Sequence, residues 1–256
     1  MRRIRYCLAL FFIFNAAFSQ KAVLGKPLVE PAKILKDGLS LAYYNRDYLK
    51  TTEDFTAYNT SSRAIDKMKF FQLFATGNYL PMRLAGPGNQ YRLYKLAPRV
   101  SDDIHSVLQS YGKTALAHYK MEGKKFPGLN YTDIDGKVYN SKNTKGKIVV
   151  IKCWFLHCQA CNEEIPALNQ LVDKYKNRDD VVFISLAFDP VEKLKAFSKK
   201  TVFKYALAPV KESYIEKDLG TNEYPTHFVI NRQGLIVKVV NDADELAAAL
   251  NNEAGK

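Results

Sequence analysis

The chain has 256 residues, 47% of them hydrophobic and 25% charged, with a net charge of +12. That balance excludes a disordered or fibrous chain and leaves room for one large domain or two small ones. Its cations are scattered in pairs such as Lys124-Lys125 and Lys199-Lys200, with no arginine-rich helix, so nucleic acid is not an expected partner. A basic surface leaves acidic proteins or a membrane face as neighbours.

Residues 1–19 have the layout of a signal peptide. Arg2, Arg3 and Arg5 form a basic start, Cys7 to Phe14 is apolar, and Ala17 and Ser19 are small residues before Gln20. The apolar stretch is shorter than the roughly 20 residues a bilayer requires. Export to the periplasm is expected, with cleavage between Ser19 and Gln20, which lowers the net charge to about +9. Cys153, Cys158 and Cys161 then remain. Three cysteines so close together indicate a local site rather than a disulfide framework.

Residues 20–123 read as a small helical or α+β domain of undisclosed role. Tyr79–Leu84 and Gln90–Leu96 flank a Gly-Pro-Gly turn and form a hairpin pattern. Ser101–Met121 reads as a helix capped by Ser101, with Asp102 and Asp103 in its first turn.

Residues 124–256 are patterned as alternating strands and helices. Tyr131–Val138 suggests a short hairpin, and Lys147–Trp154 a buried strand around the run Ile148-Val149-Val150-Ile151. One helix is expected over Cys158–Lys176, then a strand over Val181–Phe188, a helix over Val191–Lys200 and a strand over Val202–Ala208. A short helix at Ser213–Leu219, strands His227–Ile230 and Leu235–Val240, and a final helix Asp242–Leu250 complete the order. The fold class is therefore α/β, a central mixed sheet flanked by helices.

Cys158-Gln159-Ala160-Cys161 follows a buried strand and opens a helix. The positive end of a helix stabilises a thiolate at the first cysteine, and spacing of three brings the second within bridging reach. The pattern also suits half of a zinc site, but a structural zinc needs four ligands. No second Cys-x-x-Cys exists, and His105, His118, His157 and His227 are scattered. A redox pair is the favoured reading.

Further residues carry a resemblance. Lys145-Gly146-Lys147, Trp154 four residues before Cys158, Cys158-x-x-Cys161-x-x-Glu164-x-Pro166, Tyr224-Pro225-Thr226 and the Asn231–Gly234 turn together resemble the TlpA/ResA-like branch of the thioredoxin superfamily. The resemblance spans about residues 124–256. It implies a thioredoxin-like fold and thiol–disulfide exchange with protein substrates, in the reducing direction, fed by an upstream thiol electron donor. It implies no cofactor beyond the cysteine pair. Cys158 is then the exposed nucleophile and Cys161 the resolving thiol. Glu164 is the buried acid that exchanges a proton with Cys161, with Glu163 as the alternative. Pro225 resembles the cis-proline facing the dithiol, and Tyr224 presents backbone to substrate; Trp154 and His157 complete the expected substrate-binding set, His157 standing where the family often has Trp. Cys153 reads as inert core, and Pro166 as a kink. The competing readings are a non-catalytic metal- or ligand-binding protein and a thiol peroxidase.

Overall fold

A computed structural model describes residues 24–256. The signal-peptide reading, including Arg2, Arg3, Arg5, Cys7 and the Ser19–Gln20 cleavage point, lies outside the described residues.

The first unit has helices α1 (Pro31–Ile34), α2 (Gly38–Tyr48), α3 (Lys67–Phe74) and α4 (Asp102–Met121). Its strands are β1 (Phe55–Tyr58), β2 (Ala64–Ile65), β3 (Tyr79–Arg83) and β4 (Asn89–Lys95). Asp37 and Asp66 cap α2 and α3 by accepting the Ser40 and Lys69 amides at 2.7 and 2.8 Å. Ser101 holds the expected cap position of α4, but its hydroxyl makes no capping bond.

The β3–β4 hairpin forms as expected, and the sheet order is β2-β1-β4-β3, with β1 parallel to β4. Phe55, Phe70, Phe71, Phe74 and Tyr91 fill its core against Ile104 and Leu108 of α4. Each such aromatic contributes roughly 2–3 kcal/mol by leaving water. Gly112 lets α4 lie on the end of α3, since a Cβ there falls 2.5 Å from the Phe74 carbonyl oxygen.

After α4, the chain runs along the second sheet. Gly123 donates to the Ile236 carbonyl and Ile236 donates back to that of Lys124, both at 2.8 Å. A small hairpin, β5 (Asn130–Thr132) and β6 (Val138–Asn140), precedes the five-stranded sheet. That sheet comprises β7 (Ile148–Trp154), β8 (Val181–Ala187), β9 (Ala206–Pro209), β10 (Thr226–Ile230) and β11 (Ile236–Val240). Its order is β11-β10-β7-β8-β9, with β7, β8 and β9 parallel and β10 antiparallel to both its neighbours. This is the mixed sheet implied by the resemblance.

Helices α5 (Gln159–Glu163), α6 (Ile165–Lys174), α7 (Val191–Ser198) and α8 (Ala243–Ala254) flank it, and a π-helical turn spans Tyr214–Asp218. Alternate residues of β7 face opposite sides. Val149, Ile151 and Cys153 join the core that contains Phe126 and Phe228, while Ile148 and Val150 join the core that contains Leu168 and Leu250.

Two elements differ from expectation. The helix expected over Cys158–Lys176 is broken at Glu164, which ends α5 and starts α6. Pro166 has no N–H to give to the Asn162 carbonyl, so a continuous helix cannot form there. The strand expected from Val202 starts at Ala206. Val202 is 72% exposed, and the Asn169 side chain bonds the Val202 carbonyl and the Lys204 amide at 2.7 and 2.8 Å, occupying backbone groups a ladder would use.

Candidate active site

The site is built where β7 ends and α5 begins. Cys158 is the N-cap of α5, and its sulfur accepts the Cys161 amide at 3.2 Å. The two cysteines form a disulfide, with Cα atoms 5.2 Å apart. The first sulfur was expected to be exposed, yet Cys158 is only 7% accessible and Cys161 fully buried. Trp154, Ala187, Leu194 and Leu207 pack with both.

The loop leading into Cys158 is held by two side chains that sequence reasoning did not single out. Asp189 accepts the Leu156 amide at 2.8 Å, and Asn162 donates to the carbonyls of Leu156 and Cys158 at 2.8 and 2.9 Å. His157 sits exposed in this loop.

Trp154 is placed differently from the expectation that it touches substrate. It is completely buried, with the Phe197 and Phe203 rings 5.3 and 5.6 Å away. Trp154 therefore supports the site from beneath. Cys153 lies on the opposite face of β7, unpaired and buried, and burial pushes its thiol up in pKa.

Strand register brings the rest together. Thr226 pairs with Cys153 and His227 with Lys152, so the chain entering β10 passes beside the end of β7. The Tyr224–Pro225 bond immediately before β10 is cis. Tyr224 packs its ring against Phe155 and Phe188 at 5.4 and 5.5 Å, forming a half-buried aromatic rim. Asn241 secures the turn by donating to the Pro225 carbonyl at 2.8 Å.

Beneath Cys161 lies a buried cluster. Lys152 and His227 are cross-strand partners on the sheet face covered by α6 and α8, and both are fully buried. The Lys152 ammonium donates to the Cys161 carbonyl at 3.0 Å and to the Glu164 carboxylate, and His227 Nε2 lies 3.0 Å from the same carboxylate oxygen. Glu163, by contrast, is exposed and bonded to Gln159. The acid facing the interior is Glu164.

Burial opposes ionisation of Glu164, but the His227 hydrogen bond and the Lys152 charge outweigh it and hold the carboxyl below its ordinary range. Burial lowers both Lys152 and His227, each against the pull of Glu164. Glu164 is thus an ionised carboxylate one turn beyond Cys161. The signal for Lys152 was present: a lysine within a strand otherwise apolar throughout must have a buried partner. His227 carried no such signal.

Among the described residues, no group of three or more His, Cys, Asp or Glu side chains is arranged to hold a metal ion. Chemically, the arrangement offers a helix-capping sulfur, a bridged partner and a carboxylate within the fold beneath them.

The AhpC/TSA family model matches residues 122–239. Thioredoxin-like protein YneN of Bacillus subtilis is 24% identical over 135 residues, covering 51% of this chain and 76% of its own. The crystal structure of a thiol:disulfide interchange protein, thioredoxin family protein, from Chlorobium tepidum has 21% identity and a TM-score of 0.45, covering 51% of this chain and 96% of that one. Thiol-disulfide oxidoreductase ResA of Bacillus thuringiensis subsp. konkukian is 35% identical over 123 residues, which make up 47% of this chain and 70% of the relative. On that identity and coverage the chain belongs to the ResA-like, thioredoxin-fold family of thiol–disulfide oxidoreductases.

Proposed function

We propose that the chain is an exported enzyme that reduces disulfides in protein substrates through Cys158 and Cys161. The observation that carries this reading is the Cys158–Cys161 disulfide at the start of α5, beside the cis Tyr224–Pro225 turn. In the reduced enzyme, the Cys158 thiolate attacks one sulfur of a substrate disulfide, and the other substrate sulfur leaves as a thiolate. Glu164 takes the proton of Cys161. The Cys161 thiolate then attacks Cys158, expels the second substrate sulfur and closes the enzyme disulfide. Two electrons have passed to the substrate, and an upstream thiol donor restores the dithiol.

The peptide groups of Tyr224 hold an extended substrate strand, and the Phe155, Phe188 and Tyr224 rim covers its apolar side chains. His157, exposed in the loop that leads into Cys158, is assigned to the substrate-binding set. Lys152 and His227 keep Glu164 ionised and oriented. Residues 20–123 and 124–256 form two domains that remain after loss of residues 1–19. Among the described residues, no helix is long and apolar enough to cross a membrane.

The test is trapping with Cys161→Ala. Partner proteins should accumulate as mixed disulfides on Cys158, identifiable by mass spectrometry. If reduced Cys161→Ala captures nothing while the wild type consumes peroxide or retains stoichiometric metal, exchange is the wrong chemistry. Export is checked separately, by whether the secreted form begins at Gln20.

A further inference from the structure

A cleft of about 560 Å³ lies between Ala160 of the Cys-x-x-Cys motif and the N-terminal unit. Ala160, Tyr224 and Pro225 line it on one side. The far wall is made of Asn45–Thr52, at the end of α2, and of Ser110–Tyr119 on α4. Two pairs of side chains keep these walls in position. Thr114 of α4 donates to Glu223, two residues before Pro225, and Lys238 of β11 bonds both oxygens of Glu122 at 2.9 Å. The cleft is thus a fixed extension of the reactive end, of a size that accommodates several side chains.

Its charges are unequal once the internal pairs are set aside. Arg46 is paired with Asp47, and Glu122 with Lys238. Lys50 then faces three carboxyl groups: Glu223, Asp242 and Glu245. Glu223 is bonded by the Thr114 hydroxyl, and Asp242 caps α8 by accepting the Glu245 amide at 2.8 Å. The Glu245 carboxylate, in the first turn of α8, has no ion-pair partner among the described residues. Burial and the neighbouring Asp242 raise its pKa to about 7, against the pull of Lys50. Phe71, Tyr111 and Tyr119 supply aromatic surface beside it. A cationic, partly apolar chain complements these walls.

We propose that this cleft binds an extended segment of the substrate polypeptide flanking its reactive cysteine, and that an arginine or lysine of that segment pairs with Glu245. The inference rests on the exchange reading and assigns the N-terminal unit a task, selecting substrates. The same Cys158 attack then proceeds on a segment held across both units.

The test uses the reduced full-length protein and short peptides with one cysteine activated as a mixed disulfide with thionitrobenzoate. Arginine or glutamate is scanned through the flanking positions. The Cys158 thiolate attacks the mixed disulfide, and thionitrobenzoate leaves as a coloured thiolate. At one or more positions, the arginine peptide should react about fivefold faster than its glutamate counterpart at low salt. Glu245→Gln should bring that ratio close to one, and Glu245→Lys should invert it. Equal rates in the wild type, or a preference unchanged in Glu245→Gln, overturn the proposal. A wild type that releases no thionitrobenzoate, even from DTNB, removes the exchange reading itself and this inference with it.

Discussion

The two units are stabilised by different physics. The first is held by rings: Phe55, Phe70, Phe71, Phe74 and Tyr91 meet around one sheet, and no ion pair lies within that core. The second contains an equally apolar core but places a lysine, a glutamate and a histidine in it, directly below the dithiol. Buried charge is costly and survives only when fully partnered. Its presence in one unit, beneath the Cys158–Cys161 pair, distinguishes that unit from the first.

Lys152→Met attacks that contrast most directly. It strands Glu164 and His227 without their ammonium, at an expected cost of about 3–5 kcal/mol in urea unfolding of the oxidised protein. The double variant Lys152→Met/Glu164→Met should recover most of that loss. If the double variant is no better than the single one, the cluster is not held by charge. Phe70→Ala should cost about 3–4 kcal/mol through the cavity it leaves in the first unit, with no change in how stability depends on pH.

A smaller effect sharpens the comparison from the other side. His118, on α4, is 8% exposed, and burial lowers its pKa from 6.5 to about 4. Below pH 6.5 the unfolded chain takes up a proton that the folded chain refuses, so stability falls with pH across this window. The loss should reach on the order of 3 kcal/mol by pH 4, measured as the difference between wild type and His118→Leu. Taking the difference matters because Glu245, raised to about 7, has the opposite sign: its contribution is lost as pH rises. An unchanged difference curve would mean that His118 is solvated. Smallest of all, Ser101→Ala should shift stability by less than about 0.5 kcal/mol, since the Ser101 hydroxyl caps nothing.

Much of the second unit was legible in the chain. An uninterrupted apolar run becomes a buried parallel strand, a cysteine pair spaced by three falls on one helical turn, and Pro166 interrupts the helix close to where a proline must. The first unit was legible only as a hairpin and one long helix. Its β1–β4 pairing is parallel and joins segments far apart in sequence, and two-residue β2 is too short to show a period. In the site, Cys158 and Cys161 could be named from spacing and Glu164 from the family resemblance, whereas Asp189 and Asn162 are ordinary polar residues until the loop around Leu156 folds against them.

The sequence by itself determined whatever depends on neighbours along the chain: the alternation of strands and helices and the cysteine spacing, while Lys152, not singled out in its apolar strand, still required a partner. Only the tertiary structure decided that the partner is Glu164, shared with His227, and that α4 forms a wall facing the cis-proline turn. The reason is register: which residues of β7 and β10 stand opposite is set by the whole sheet, and no local periodicity encodes it.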